Sequence, residues 1–90
     1  MNKVELNTRI ELGIDDYTDE DLSGLDLTGY DLTNKCFNGC NFDRTILDDS
    51  DCTGSTFEGA KMNNAQMFNT KFKDPELEKL FSNVSEETIF

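Results

Sequence analysis

Residues 20–73 decide the fold. Read in fives they run EDLSG (20–24), LDLTG (25–29), YDLTN (30–34), KCFNG (35–39), CNFDR (40–44), TILDD (45–49), SDCTG (50–54), STFEG (55–59), AKMNN (60–64), AQMFN (65–69) and the partial TKFKD (70–74). The middle position holds Leu22, Leu27, Leu32, Phe37, Phe42, Leu47, Cys52, Phe57, Met62, Met67 and Phe72 without a slip. Helical side chains recur every 3.6 residues and strand side chains every 2, so a period of five is neither. A short fixed period marks a solenoid, in which each unit buries its apolar face only by stacking on its neighbours.

The tract resembles the pentapeptide repeat family, whose pattern is a small residue, then Asp or Asn, then Leu or Phe, then a polar residue, then often Gly. The resemblance spans 20–73, more than half of the chain. It implies an all-β solenoid, a right-handed quadrilateral β-helix with four pentapeptides per coil and nearly three coils here. The central residue and the small residue two before it would point inward.

The flanks are read from their own periodicities. In KVELNTRIELGI (3–14), Val4, Leu6, Ile10, Leu12 and Ile14 all fall on even positions, which predicts a strand. Residues 1–19 are therefore expected to form an N-terminal β cap over the open end of the column, shielding an edge that would otherwise invite pairing. The register extends back to Leu12 and Tyr17, but Asp15 would then stand at an inward position, where an unpaired carboxylate is costly. The repeats are accordingly started at Glu20, with 15–19 as a transition. In the first coil the inward small position holds Glu20, Leu25, Tyr30 and Lys35, all large. Leu25 and Tyr30 can instead pack on the cap, with Lys35 reaching solvent. Beyond the repeats, Asp74 suits an N-cap and Pro75 a first helical position. Leu77, Leu80, Phe81 and Val84 then form one stripe. A short C-terminal helix within 74–90 is expected to seal the far end or, alternatively, to join two copies as a dimer.

Composition narrows the function. The net charge is −11, and the first 52 residues hold 13 acidic and 4 basic groups against 6 and 4 in the remainder. Such a domain repels nucleic acid and lipid head groups, and its natural partners carry basic surfaces. No apolar run approaches the length of a membrane span, and no signal peptide is evident. Three cysteines do not make a closed disulfide framework, so free thiols in a cytoplasm are expected, that of a bacterial host if the chain is phage-encoded.

The chain has no His and no Trp, which removes the commonest general base and metal ligand. Cys36, Cys40 and Cys52 lack paired spacing, and Cys36 points outward while Cys40 and Cys52 point inward. Asp48, Asp49 and Asp51 are dense but do not follow the calcium-loop spacing. No enzyme, cofactor or metal site is expected.

Outward residues carry the functional expectation. Positions 20 apart share a face. One face presents Asp26, Asp48 and Asp49, the next Asp31 and Asp51, and a third Asp21 and Asp43 diluted by Arg44 and Lys61. Coils stacked about 4.8 Å apart span roughly 14 Å, over which B-DNA carries roughly eight charges. A rigid rod of that charge can occupy a basic nucleic-acid groove. The resemblance points the same way: quinolone-resistance pentapeptide repeat proteins act on DNA gyrase as DNA mimics, usually as dimers. A short acidic mimic is also similar to phage-encoded inhibitors of restriction or CRISPR complexes. The expected partner is a DNA- or RNA-binding protein with a basic groove. The alternative is an interaction or assembly module using Ile46 and Phe68, which stand on the Asp48 face, together with the C-terminal helix.

Overall fold

The computed structural model describes residues 1–72. The expected C-terminal helix, with Leu77, Leu80, Phe81 and Val84, lies outside the described residues. Parallel bridges join Asp16 to Cys36, Asp21 to Asn41, Asp26 to Ile46 and Asp31 to Asp51, then Cys36 to Thr56, Asn41 to Lys61, Ile46 to Gln66 and Asp51 to Lys71. Every bridge spans 20 residues, so four pentapeptides close one turn of the column. The described coils run 15–34, 35–54 and 55–72. Each side contributes a single bridging residue before the chain turns, so the column is built of isolated bridges and not of extended strands.

Three backbone bonds per repeat tie coil to coil. The Leu22 N–H donates to the Asn41 carbonyl (2.8 Å), the Asn41 N–H returns to the Glu20 carbonyl (3.0 Å), and the Gly24 N–H reaches the Asp43 carbonyl (2.9 Å). The same pattern recurs on each side of the column. The last residue of each repeat has positive φ, whether it is Gly24 (72°) or a non-glycine such as Asn34 (56°), Arg44 (61°) or Asp49 (59°). A type II turn demands this conformation, which explains why Gly, Asn and Asp dominate there.

The core is one apolar column. Tyr17, Phe37 and Phe57 stack with centroids 5.4 and 5.3 Å apart, and Phe42 lies edge-on to Phe37. Leu22, Leu27, Leu32, Leu47, Cys52 and Met62 fill the other sides. The small inward hydroxyls donate to backbone carbonyls of the coil below. Thr45 Oγ1 donates to the Leu22 carbonyl (2.8 Å), Ser55 Oγ to the Leu32 carbonyl (2.5 Å) and Thr70 Oγ1 to the Leu47 carbonyl (2.6 Å). A buried hydroxyl is tolerated because it is bonded.

The N-terminal cap differs from expectation. It is not a β cap: Lys3–Glu11 form an α-helix, α1. Alternation on even positions was a coincidence of composition. The decisive signals are local: Asn2 is the N-cap, its side chain accepting from the Glu5 N–H (2.8 Å), and Gly13 follows the helix at φ 76°. Leu6 and Ile10, one turn apart, face the column, and Leu6 is fully buried.

The coil also begins earlier than Glu20. Asp16 is already bridged and Tyr17 is completely buried. Asp15 escapes the penalty expected of it because it stays exposed and pairs with Lys35 directly above (3.2 Å). Lys35 therefore does not reach solvent. It is 9% exposed, and its ammonium also lies over the Tyr17 ring. The other large inward residues grip α1. Glu20 pairs with Arg9 (3.2 Å), the Tyr30 hydroxyl donates to Asn7 Oδ1 (2.6 Å) beneath Lys3, and Leu25 packs against the core edge.

Candidate partner-binding surface

The outward face of the first two coils is organised by one short motif. In D-x-S/T the Asp Oδ1 accepts both the N–H and the hydroxyl of the residue two ahead. Asp16 holds Thr18, Asp21 holds Ser23, Asp26 holds Thr28, Asp31 holds Thr33 and Asp51 holds Thr53, with hydroxyl distances of 2.6–2.7 Å. These bonds favour the charged form and keep all five carboxyls below the usual carboxylate range. Their second function is mechanical, since each fixes a corner of the coil. The carboxylates are thus held in position with one oxygen committed and the other available.

The structure distributes the expected contact residues unevenly. Asp26, Asp48 and Asp49 do share one face, Asp31 and Asp51 the next, and Asp21 and Asp43 a third, as the spacing of 20 requires. Asp43 and Asp48 are half-buried, and each spends Oδ1 on the backbone N–H one coil above, Asp43 on Asn63 and Asp48 on Phe68 (2.9 and 3.0 Å). Asp49 is exposed, and its carboxylate carries no hydrogen bond among the described residues. Asp21 feels the N-terminal ammonium and Arg44, Asp26 feels Lys3, and Asp51 feels Lys71. Asp31 and Asp51 are direct bridge neighbours, and Asp51 works against the ionisation of Asp31. Of the apolar pair, Phe68 is 46% exposed while Ile46 is half-buried beside Gln66.

Sequence reasoning underrated the first coil. Residues 15–34 hold Asp15, Asp16, Asp19, Glu20, Asp21, Asp26 and Asp31 and no base. The second coil offsets Asp43, Asp48, Asp49 and Asp51 with Lys35 and Arg44, and 55–72 hold Glu58 against Lys61 and Lys71. Charge therefore runs down the axis from strongly acidic to slightly basic. The signal was present in Asp16–Tyr17–Thr18, which repeats the D-x-T motif, but starting the repeats at Glu20 hid it.

Burial pushes the Cys40 and Cys52 thiols up to about 12, and only Cys36, bonded to Thr18, is lowered. Among the described residues no three His, Cys, Asp or Glu side chains converge to hold a metal ion. No described helix is long and apolar enough to cross a membrane.

Residues 36–74 match the pentapeptide repeats family in eight copies. That tract is made of pentapeptide repeats. The fold of the chain is similar to that of HetL, a pentapeptide repeat protein involved in heterocyst differentiation regulation from the cyanobacterium Nostoc sp. strain PCC 7120. The TM-score is 0.79 at 19% identity, covering 82% of this chain and 31% of HetL. At that identity the likeness is one of fold, a right-handed quadrilateral β-helix, and the chain spans about a third of HetL's length. No curated protein matches the chain in sequence. The family match starts at Cys36 although the bridges start at Asp16, because in the first coil the inward position holds Asp15, Glu20, Leu25 and Tyr30 where the family pattern wants a small residue. Pentapeptide repeat proteins are often protein-interaction modules.

Proposed function

We propose that this protein is a non-enzymatic DNA mimic. It binds the basic nucleic-acid groove of a DNA-binding enzyme, a topoisomerase or a restriction or CRISPR-type defence complex, and modulates it. The observation that carries this reading is the set of Asp carboxylates fixed at bridge positions by their Ser/Thr partners and concentrated in the first coil. Preordered charges meet Arg and Lys without the cost of immobilising flexible side chains. Asp26, Asp31, Asp49 and Asp51 are the main contacts; Asp43 and Asp48 contribute less because each spends an oxygen on the backbone of the next coil, and Asp21 less because the N-terminal ammonium and Arg44 lie near it.

The test is recovery of partners from bacterial lysate with DNase present, washed at low and at high salt. A DNA-binding enzyme released by high salt supports mimicry, since such contacts are screened. In a purified pair, Asp49→Asn with Asp51→Asn should weaken binding, and DNA should compete. Asn keeps the Oδ1 acceptor that Thr53 needs, so the loss would report charge and not the corner. A second reading has one observation in its favour, the exposed ring of Phe68. An assembly module anchored there would resist salt and be lost on Phe68→Ala.

A further inference from the structure

The cap helix α1 has a second face. Leu6 and Ile10 lie against the first coil. At about 100° per residue, Val4, Thr8 and Leu12 form a stripe on the opposite side. That stripe is not polar: Val4 is 74% exposed and Leu12 71%, with Ile14 partly exposed just beyond. The Thr8 hydroxyl is turned back onto the Val4 carbonyl (2.9 Å). A cap that only closes a solenoid needs a polar outer face.

The surroundings of the stripe are acidic. Glu5 and Glu11 border it. The two bases of α1 are engaged elsewhere, Arg9 with Glu5 and Glu20 and Lys3 over the Tyr30 ring. Directly beneath is the first coil, with seven carboxylates and no base.

We propose that the Val4–Thr8–Leu12 stripe and the first-coil carboxylates around it form one docking surface for a cationic, amphipathic protein segment. Apolar side chains of the partner would cover the stripe while flanking Lys or Arg meet Glu5, Glu11, Asp16 and Asp26. Charge complementarity selects this occupant. A second copy would bring two base-free coils together, and nucleic acid or an anionic membrane is repelled. The inference rests on the mimicry reading for its electrostatic half. It adds an apolar half that DNA does not supply, and it locates the contact at the N-terminal end of the column.

The probe is a helical Leu/Lys peptide with its leucines on one face, compared with a peptide of equal charge in which every Leu is Ser. Fluorescence anisotropy should show the native protein binding the Leu/Lys peptide about tenfold more tightly or better, from the apolar area covered. Val4→Gln with Leu12→Gln should bring both peptides to the same weaker affinity, with the thermal midpoint checked in parallel. If that variant fails to fold, Thr8→Lys, which keeps the apolar residues and adds a like charge, should weaken both peptides. Phe68→Ser should change nothing. Equal binding of the two peptides by the native protein overturns the docking surface and leaves mimicry standing, because mimicry needs charge alone. Binding of neither peptide removes both readings. Loss of the Leu preference in Phe68→Ser but not in the α1 variant moves the apolar contact to the other face. Self-association of the native protein that Val4→Gln/Leu12→Gln abolishes assigns the stripe to a second copy and also overturns the proposal.

Discussion

The first coil and the third use one backbone pattern for opposite purposes. In 55–72 the inward position is small, Ser55, Ala60, Ala65 and Thr70, and the surface is nearly balanced in charge. In 15–34 the same position holds the larger Asp15, Glu20, Leu25 and Tyr30, and the surface is wholly acidic. The third coil rests on a coil below it, so its inward residues must fit between stacked turns and bond the carbonyls beneath. The first has no coil below. Its inward residues are free to be large, and Glu20 and Tyr30 become the clamps that hold α1. A repeat position is thus constrained by its neighbour and not by the repeat itself.

The sharpest way to break the comparison is to remove what both coils share. Phe37 sits between Tyr17 and Phe57, so Phe37→Ala should cost about 3–5 kcal/mol, enough to unfold much of the population, as urea denaturation would register. Leu6→Ala acts at one end only and should cost about 2–3 kcal/mol. Hydrogen exchange should then show the Tyr17, Leu22 and Leu27 amides losing protection while Gln66 and Lys71 keep theirs. Equal loss throughout would mean that the column behaves as one cooperative unit.

Smaller changes sharpen the contrast. Gly39→Ala should destabilise by about 1 kcal/mol, because φ is 71° and the added methyl falls on the Asp19 carboxylate. Gly59→Ala on the same face meets no side chain and should cost less. Tyr17→Phe should be neutral or stabilising by up to about 1 kcal/mol, since the buried Tyr17 hydroxyl has no hydrogen-bond partner among the described residues. Thermal midpoints order these three.

The smallest effect is the pH response of the corner carboxylates. Asp16, Asp21, Asp26, Asp31 and Asp51 have folded pKa values below the ordinary value near about 3.9. Their contribution is fully present above that value and is lost as pH falls through the folded values. Stability should therefore drop only below about pH 4. Asp26→Ala should flatten part of that drop and lower the midpoint slightly at neutral pH. Asp26→Asn should keep the midpoint, because the amide oxygen still accepts from Thr28.

The period of five was legible from residue spacing, because inward and outward directions repeat with the backbone, while the four-sided stacking and the shared faces came from the family resemblance. The face assignments of Asp26 with Asp48 and of Asp31 with Asp51 follow directly. The cap was misread. Val4, Leu6, Ile10, Leu12 and Ile14 alternate, but only Leu6 and Ile10 turn to the core, and Asn2 with Gly13 brackets a helix. Tyr17 was excluded from the coil on the assumption that Asp15 would be buried alone.

The sequence by itself determined the repeat, its corners and the excess of acid, since these depend on backbone geometry and residue type within five positions. Only the tertiary structure decided how much of each charge is available. A carboxylate such as Asp48, spent on the Phe68 amide 20 residues away, and one such as Asp49, with no hydrogen bond to its carboxylate among the described residues, look alike in the chain. The difference arises because hydrogen bonds and ion pairs form between coils, where partners are set by stacking and not by sequence distance. Lys35 meeting Asp15, Arg9 meeting Glu20 and the outward turn of Val4 and Leu12 are fixed by the same contacts.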